Sequence, residues 1–120
     1  MSEIRLGAVE SKFADIIWNN EPLRPVELEK LAEAELNWKR TTTLTILKRL
    51  CERGIFQNKD RIITSLISRE EFYAIQSERF VNETFEGSLP AFLTAFGSKK
   101  KLSADEVEEL KRVIEEMGGK

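Results

Sequence analysis

Apolar residues recur at helical spacing from about Ala8 to Asn19, with Val9, Phe13, Ile16, Ile17 and Trp18 toward one side. That period of 3.6 residues predicts an amphipathic helix facing a core. Asn19-Asn20-Glu21-Pro22 ends it. Pro25 suits the first turn of a second helix, where its missing N–H leaves no bond unmade. This helix carries Val26, Leu28, Leu31 and Ala32 and stops near Glu35, and Leu36-Asn37-Trp38 forms a short connection. A third helix, rich in Thr, Leu, Lys and Arg, is expected from about Thr41 to Arg53, with Gly54 as its stop. The period then drops toward two. Ile55-Phe56-Gln57 and Ile62-Ile63-Thr64-Ser65-Leu66-Ile67 are β-branched and apolar, split by the polar Asn58-Lys59-Asp60-Arg61, which predicts a hairpin.

Helical spacing returns after Ile67. Ser68-x-x-Glu71 and Ser103-x-x-Glu106 both have the capping-box pattern. The first opens a long helix to about Phe85, anchored by Phe72, Ile75, Phe80 and Val81. Ser88 and Pro90 start a short helix holding Phe92, Leu93 and Phe96, and a last helix carries Val107, Leu110, Val113, Ile114 and Met117. The expected fold class is mainly α with a small β-hairpin. Residues 1–67 form a winged helix-turn-helix, and residues 68–120 form a helical region. Three helices in about 50 residues make a marginal core by themselves. Yet this region holds five of the seven phenylalanines, so its apolar faces need a partner surface. They can pack back on the winged helix within one chain or against a second copy across a two-fold axis. The second reading is preferred, and Phe72, Ile75, Phe80, Val81, Phe85, Phe92, Leu93, Phe96, Leu110 and Ile114 are assigned to it.

Composition narrows the function classes. The 120 residues hold no histidine and one cysteine, which removes the commonest general base and any internal disulfide. No Gly-rich phosphate loop, nucleophile elbow or zinc spacing occurs. No catalytic residue, metal ligand or cofactor is assigned, and an enzyme is not expected. The longest apolar runs fall short of a membrane span, and the N-terminus lacks the apolar core of a signal peptide, so a cytoplasmic location is expected.

The net charge of −2 hides a division along the chain. Residues 36–69 hold 8 Lys/Arg against 2 Asp/Glu, a net of +6, while each flanking segment is net −4. Charges beyond a Debye length of roughly 8–10 Å are largely screened, so the local excess matters more than the total. On a helix turning 100° per residue, Ile46, Leu47 and Leu50 lie within about 60° of Thr43 and form a buried stripe. Thr41, Thr45, Lys48 and Glu52 then point the other way, with Leu44 and Arg49 at the margins. Hydroxyls and cations suit phosphates and base edges, and an apolar side chain can meet a thymine methyl. Lys39, Arg40, Thr41 and Thr42 stand at the helix start, where backbone N–H groups also favour phosphate. The second helix of a helix-turn-helix commonly enters a major groove, and Lys59 and Arg61 at the hairpin tip would then lie near the backbone. The expected partner is double-stranded operator DNA. A winged helix used only for protein–protein assembly is the alternative. Cys51 and the two tryptophans, Trp18 and Trp38, are read as structural.

These residues resemble the BlaI/MecI penicillinase-repressor family over nearly the whole chain. Glu10, Phe13, Ile16, Ile17 and Trp18 match the family's Glu-x-x-apolar-x-x-apolar-apolar-Trp pattern. Trp38-x-x-x-Thr42-Thr43-x-Thr45-Ile46-Leu47-x-Arg49-Leu50-x-x-x-Gly54 is similar to the family's central signature, and Ser68-Arg69-Glu70-Glu71-Phe72 and Phe85-x-Gly87-Ser88 match later segments. The resemblance implies a homodimeric transcriptional repressor on an inverted-repeat operator. It also implies derepression by cleavage in the dimerisation region, at Ala95–Phe96 here, through a membrane sensor–protease system responding to β-lactam antibiotics. The hairpin departs from the family's alternating aromatics, carrying Arg61, Ile62 and Ile63 on a shorter turn. The C-terminal cysteine cluster of copper-responsive relatives is missing, so direct copper sensing is not expected.

Overall fold

The computed structural model describes residues 6–119. Six helices and one hairpin follow in the order α1 (Ala8–Asn20), α2 (Pro25–Leu36), α3 (Arg40–Glu52), β1 (Phe56–Lys59), β2 (Ile62–Ser65), α4 (Arg69–Phe85), α5 (Leu89–Lys99) and α6 (Ala104–Met117). The architecture is mainly helical with a two-stranded antiparallel hairpin, as the hydrophobic pattern predicts. The chain divides into two compact units, one ending at Glu78 and one beginning at Arg79.

In the first unit, α1, α2, α3 and the hairpin close over one core. Phe13 and Ile17 from α1, Leu28 from α2, Leu50 from α3 and Phe56 and Ile63 from the hairpin are all fully buried. Loop chemistry sets the turns between these elements. Asn37 adopts a left-handed φ of 59°, and Trp38 N donates back to Ala32 O at 3.3 Å, so α2 stops and the chain turns into α3 within three residues. Gly54, at φ 82°, does the same after α3, with Ile55 N donating to Leu50 O at 3.1 Å. A side chain there would meet the left-handed steric penalty, which is why glycine ends this helix. Val9 is the exception to the expected α1 stripe. It is the second residue of the helix and is 52% exposed.

The hairpin is tighter than its polar tetrapeptide suggests. Lys59 pairs with Ile62, so the strands run on until only Asp60 and Arg61 remain in the turn. Their φ values of 55° and 63° define a type I′ turn, which matches strand twist but favours glycine or asparagine. Holding a larger side chain left-handed costs about 1–2 kcal/mol per residue.

The first unit runs past the hairpin and past residue 67, the end expected for the winged domain. Ser68 Oγ accepts from Glu71 N at 3.0 Å and starts α4. Phe72 is fully buried, with its ring centroid 5.5 Å from Trp18, and Trp18 Nε1 donates to Ile67 O at 3.0 Å. Asp15 of α1 accepts from Arg69 at 2.8 Å on the same side. The first turns of α4 therefore belong to the winged-helix core. This corrects the assignment of Phe72 to a contact between copies, since it has no surface left to offer one.

The second unit is open by comparison. Phe80, Phe85 and Phe92 form a triangle with ring centroids 5.7–6.0 Å apart, and Phe96 lies 6.2 Å from Phe92. The three contacts within the triangle are edge-on, which suits aromatic quadrupoles, and the fourth is tilted. Ser88 and Ser103 cap α5 and α6 by accepting from Ala91 N and Glu106 N at 3.0 and 3.1 Å. Even so, no residue of α5 or α6 is buried. Phe80, Phe96 and Ile114 are each 45–48% exposed.

Candidate nucleic-acid interface

The two faces of α3 separate as the helical spacing predicts. Thr43, Leu47 and Leu50 are buried and Ile46 is half-buried, while Thr41, Thr42, Thr45, Lys48 and Arg49 are exposed. Arg40, Thr41, Leu44, Thr45 and Lys48 line one shallow groove on the outward face. The helix begins one residue earlier than expected, with Lys39 as its extended N-cap residue. Its first N–H groups and the exposed Lys39 and Arg40 thus gather at one end. Hydroxyl donors, an apolar patch and a cation within three turns make a surface that can meet both phosphates and base edges.

The charges on this face are not equivalent. Arg49 donates to Glu10 Oε2 at 3.1 Å, and the other oxygen of Glu10 accepts from Gly7 N at 3.2 Å. Glu10 is thereby fixed at the head of α1 and ties α3 to it. Arg40 pairs with Glu29 of α2 at 3.3 Å. Lys48 is exposed and makes no ion pair with any described residue. Lys48 thus differs from Arg40 and Arg49, each of which is held by a glutamate. Spacing placed Arg49 at the face margin but could not reveal its acidic partner 39 residues earlier.

On the hairpin, Lys59 lies in β1 and Arg61 in the turn, both exposed. Arg24, at the head of α2, is a cation the sequence reading missed. It shares a groove with Arg40 and Arg61, and only the fold brings these three arginines together. A cation immediately before a helix-starting proline was the available signal.

Two side chains on α3 serve the core. Cys51 is half-buried, and burial first, then the charge of Glu52, push its thiol pKa up from the ordinary value, which disfavours the reactive thiolate. Thr43 Oγ1 is buried with no hydrogen-bond partner among the described residues. An unmet buried hydroxyl costs about 1–3 kcal/mol, and valine has the same shape without it. Thr43→Val is therefore expected to stabilise the fold by about 1 kcal/mol without altering the outward face. Urea unfolding checks the gain, and a lower midpoint would show that the hydroxyl finds a partner.

Among the described residues, no cluster of three metal-ligating side chains occurs, and no helix is long and apolar enough to cross a membrane. The expected dimer residues occupy different surroundings. Ile75 is half-buried in the first unit, whereas Phe80, Val81, Phe85, Phe92, Leu93, Phe96, Leu110 and Ile114 lie in the second, exposed or half-buried. Ala95 and Phe96, the expected cleavage pair, are both exposed within α5.

Comparison with known proteins gives a consistent result. The family model described as penicillinase repressor matches residues 6–116. The chain is 26% identical over 113 residues to the methicillin resistance regulatory protein MecI of Staphylococcus aureus (strain Mu50), covering 91% of this chain and 92% of that protein. It is 23% identical over 116 residues to the penicillinase repressor of Bacillus licheniformis, covering 93% and 91%. The MecI protein of Mammaliicoccus sciuri matches at 26% identity. The match runs from before α1 into the last turn of α6, and this chain belongs to the penicillinase repressor family.

Proposed function

We propose that this chain is a transcriptional repressor that lays α3 in the major groove of operator DNA and binds an inverted repeat as a homodimer. The observation that carries the reading is the outward face of α3. It presents Thr41, Leu44, Thr45 and Lys48, which has no ion-pair partner among the described residues, along one groove on the second helix of a helix-turn-helix. Lys39, Arg40 and Thr42 at the helix head, and Lys59 on the hairpin, add contacts to phosphate. Arg49 acts at the margin, with its charge already answered by Glu10. The relatives' names, penicillinase repressor and methicillin resistance regulatory protein, support the regulatory reading.

The open apolar surface of α5 and α6 supports the dimer. Phe80, Phe92, Leu93, Phe96, Leu110 and Ile114 would be covered by the same residues of a second copy across a two-fold axis. Derepression follows from cutting Ala95–Phe96, since the break falls inside α5 and separates Phe92 from Phe96. A membrane sensor–protease system is the partner this step requires. A repressor works beside the chromosome, so a cytoplasmic location goes with the reading.

Fluorescence anisotropy with an inverted-repeat duplex from the promoter it controls and a scrambled duplex tests the proposal. Preference for the repeat is expected, and equal affinity for both at every salt concentration would sink it. Lys48→Ala is expected to weaken binding and to lower the slope of log affinity against log salt by about 0.9 per protomer if Lys48 neutralises one phosphate. An unchanged slope would mean that the DNA lies on another face.

A further inference from the structure

The head of α2 is stitched to the hairpin by backbone hydrogen bonds. Leu23 N donates to Ile63 O at 3.3 Å and Ile63 N donates to Leu23 O at 2.8 Å. Ser65 reinforces the junction, its N and Oγ donating to the two oxygens of Glu21 at 2.6 and 2.9 Å. The segment before α2 thus lies beside β2 like a short third strand. Antiparallel pairing continued by one residue brings Arg24 to Ile62, one step from Arg61. Arg24 and Arg61 line a single groove of about 520 Å³ open to solvent.

The charges around this groove do not balance. Arg40 also lines it but is held by Glu29. Arg24 and Arg61 are exposed and make no hydrogen bond or ion pair with another described residue through their side chains; Asp60 lines the groove with them, and the Glu27 carboxylate is held at the backbone N–H of Arg24. Two arginines lining one groove bring like charges to the same surface, and an anion bound between them would turn repulsion into attraction. The backbone supplies an independent observation. Arg61 occupies a left-handed turn position where glycine is favoured, and backbone outliers of this kind gather at functional sites.

Arg40 connects the groove to the face of α3, because it lines both this groove and the shallow one over Thr41, Leu44, Thr45 and Lys48. DNA lying on α3 would carry its backbone past the two arginines. We propose that Arg24 and Arg61 form a cradle for one backbone phosphate of the bound duplex, an assignment that rests on the DNA-binding reading above. Planar guanidinium forks match phosphate oxygens. The N-terminus of α2 adds little, since Glu27 already occupies it by accepting from Arg24 N at 2.7 Å. The two side chains carry the site.

The test uses the full chain and a mixed-sequence duplex of about 30 base pairs, roughly three turns of B-DNA, with affinity measured across salt concentrations. Arg24→Ala is expected to lower affinity about tenfold, the worth of a charged hydrogen bond. It should do so equally on operator and mixed duplexes, because phosphate contacts carry no sequence. Arg61→Gly separates charge from fold. It relaxes the turn, so the melting temperature should rise while affinity falls. Together the two substitutions should reduce the salt slope by about 0.9 per protomer, one phosphate.

An unchanged slope in the double variant, with wild-type binding intact, overturns the cradle alone. A drop of twice that size overturns the shared site in favour of two separate phosphates. A loss confined to the operator duplex overturns the phosphate contact in favour of base reading. No binding of any duplex by the wild-type chain overturns the DNA-binding reading and the cradle with it.

Discussion

Phe96→Asp combined with Ile114→Asp is expected to turn the full-length chain into a monomer in sedimentation experiments. The same variant should lose about two to four orders of magnitude in affinity for an inverted-repeat duplex. Within a single chain these side chains are 45% and 48% exposed, so an aspartate there meets water and disturbs little. At a closed two-fold contact the same carboxylates would be buried without partners, which costs several kcal/mol, on the order of 3–5 each. The surface such a contact would cover is the apolar groove bounded by Phe92, Leu93 and Phe96 of α5 and Leu110 and Val113 of α6. No residue of either helix is buried, so this unit has not yet gained the apolar burial that holds a domain together. Affinity suffers because two half-sites bound by one dimer reinforce each other, and a monomer must hold each alone. A variant that still sediments as a dimer would rule out this face as the contact.

Phe72→Ala is expected to destabilise the winged-helix unit by about 3–5 kcal/mol, the usual cost of emptying a buried phenylalanine site. That is a large part of the roughly 5–15 kcal/mol available to a natural domain. The ring is fully buried and 5.5 Å from both Trp18 and Tyr73, so its removal leaves a cavity under α4. Trp18 sits at that site and reports the change through its fluorescence during urea unfolding. The loss should not depend on protein concentration, because Phe72 packs within its own chain. A concentration-dependent midpoint shift, or a loss below about 1 kcal/mol, would return Phe72 to the contact between copies.

These two variants mark the limit of what spacing could reveal. Phe72 and Phe96 both occupy apolar positions in helices of the same tail, and a helical repeat treats them alike. Phe72 is closed off because Ser68 starts α4 directly beside Trp18, while Phe96 faces open space. Arg49 and Lys48 make the same point on α3. Adjacent in sequence and equal in charge, they differ because Glu10, one turn into α1, reaches Arg49 and not Lys48.

The order of elements, the stop at Gly54, the buried stripe of α3 and its outward hydroxyls and lysine were legible from local rules. Helix caps, hydrophobic periods and turn residues act over a few positions, so the chain itself determined them. The central signature from Trp38 to Gly54 likewise carries the family resemblance in the sequence itself. Tertiary structure decided what depends on residues far apart in the chain. It extended the winged unit to Glu78, paired Arg49 with Glu10, and narrowed the hairpin turn to Asp60 and Arg61. It also brought Arg24 beside Arg61 through the pairing of Leu23 with Ile63. Burial and charge compensation are properties of neighbours in space, and no period along the chain encodes them.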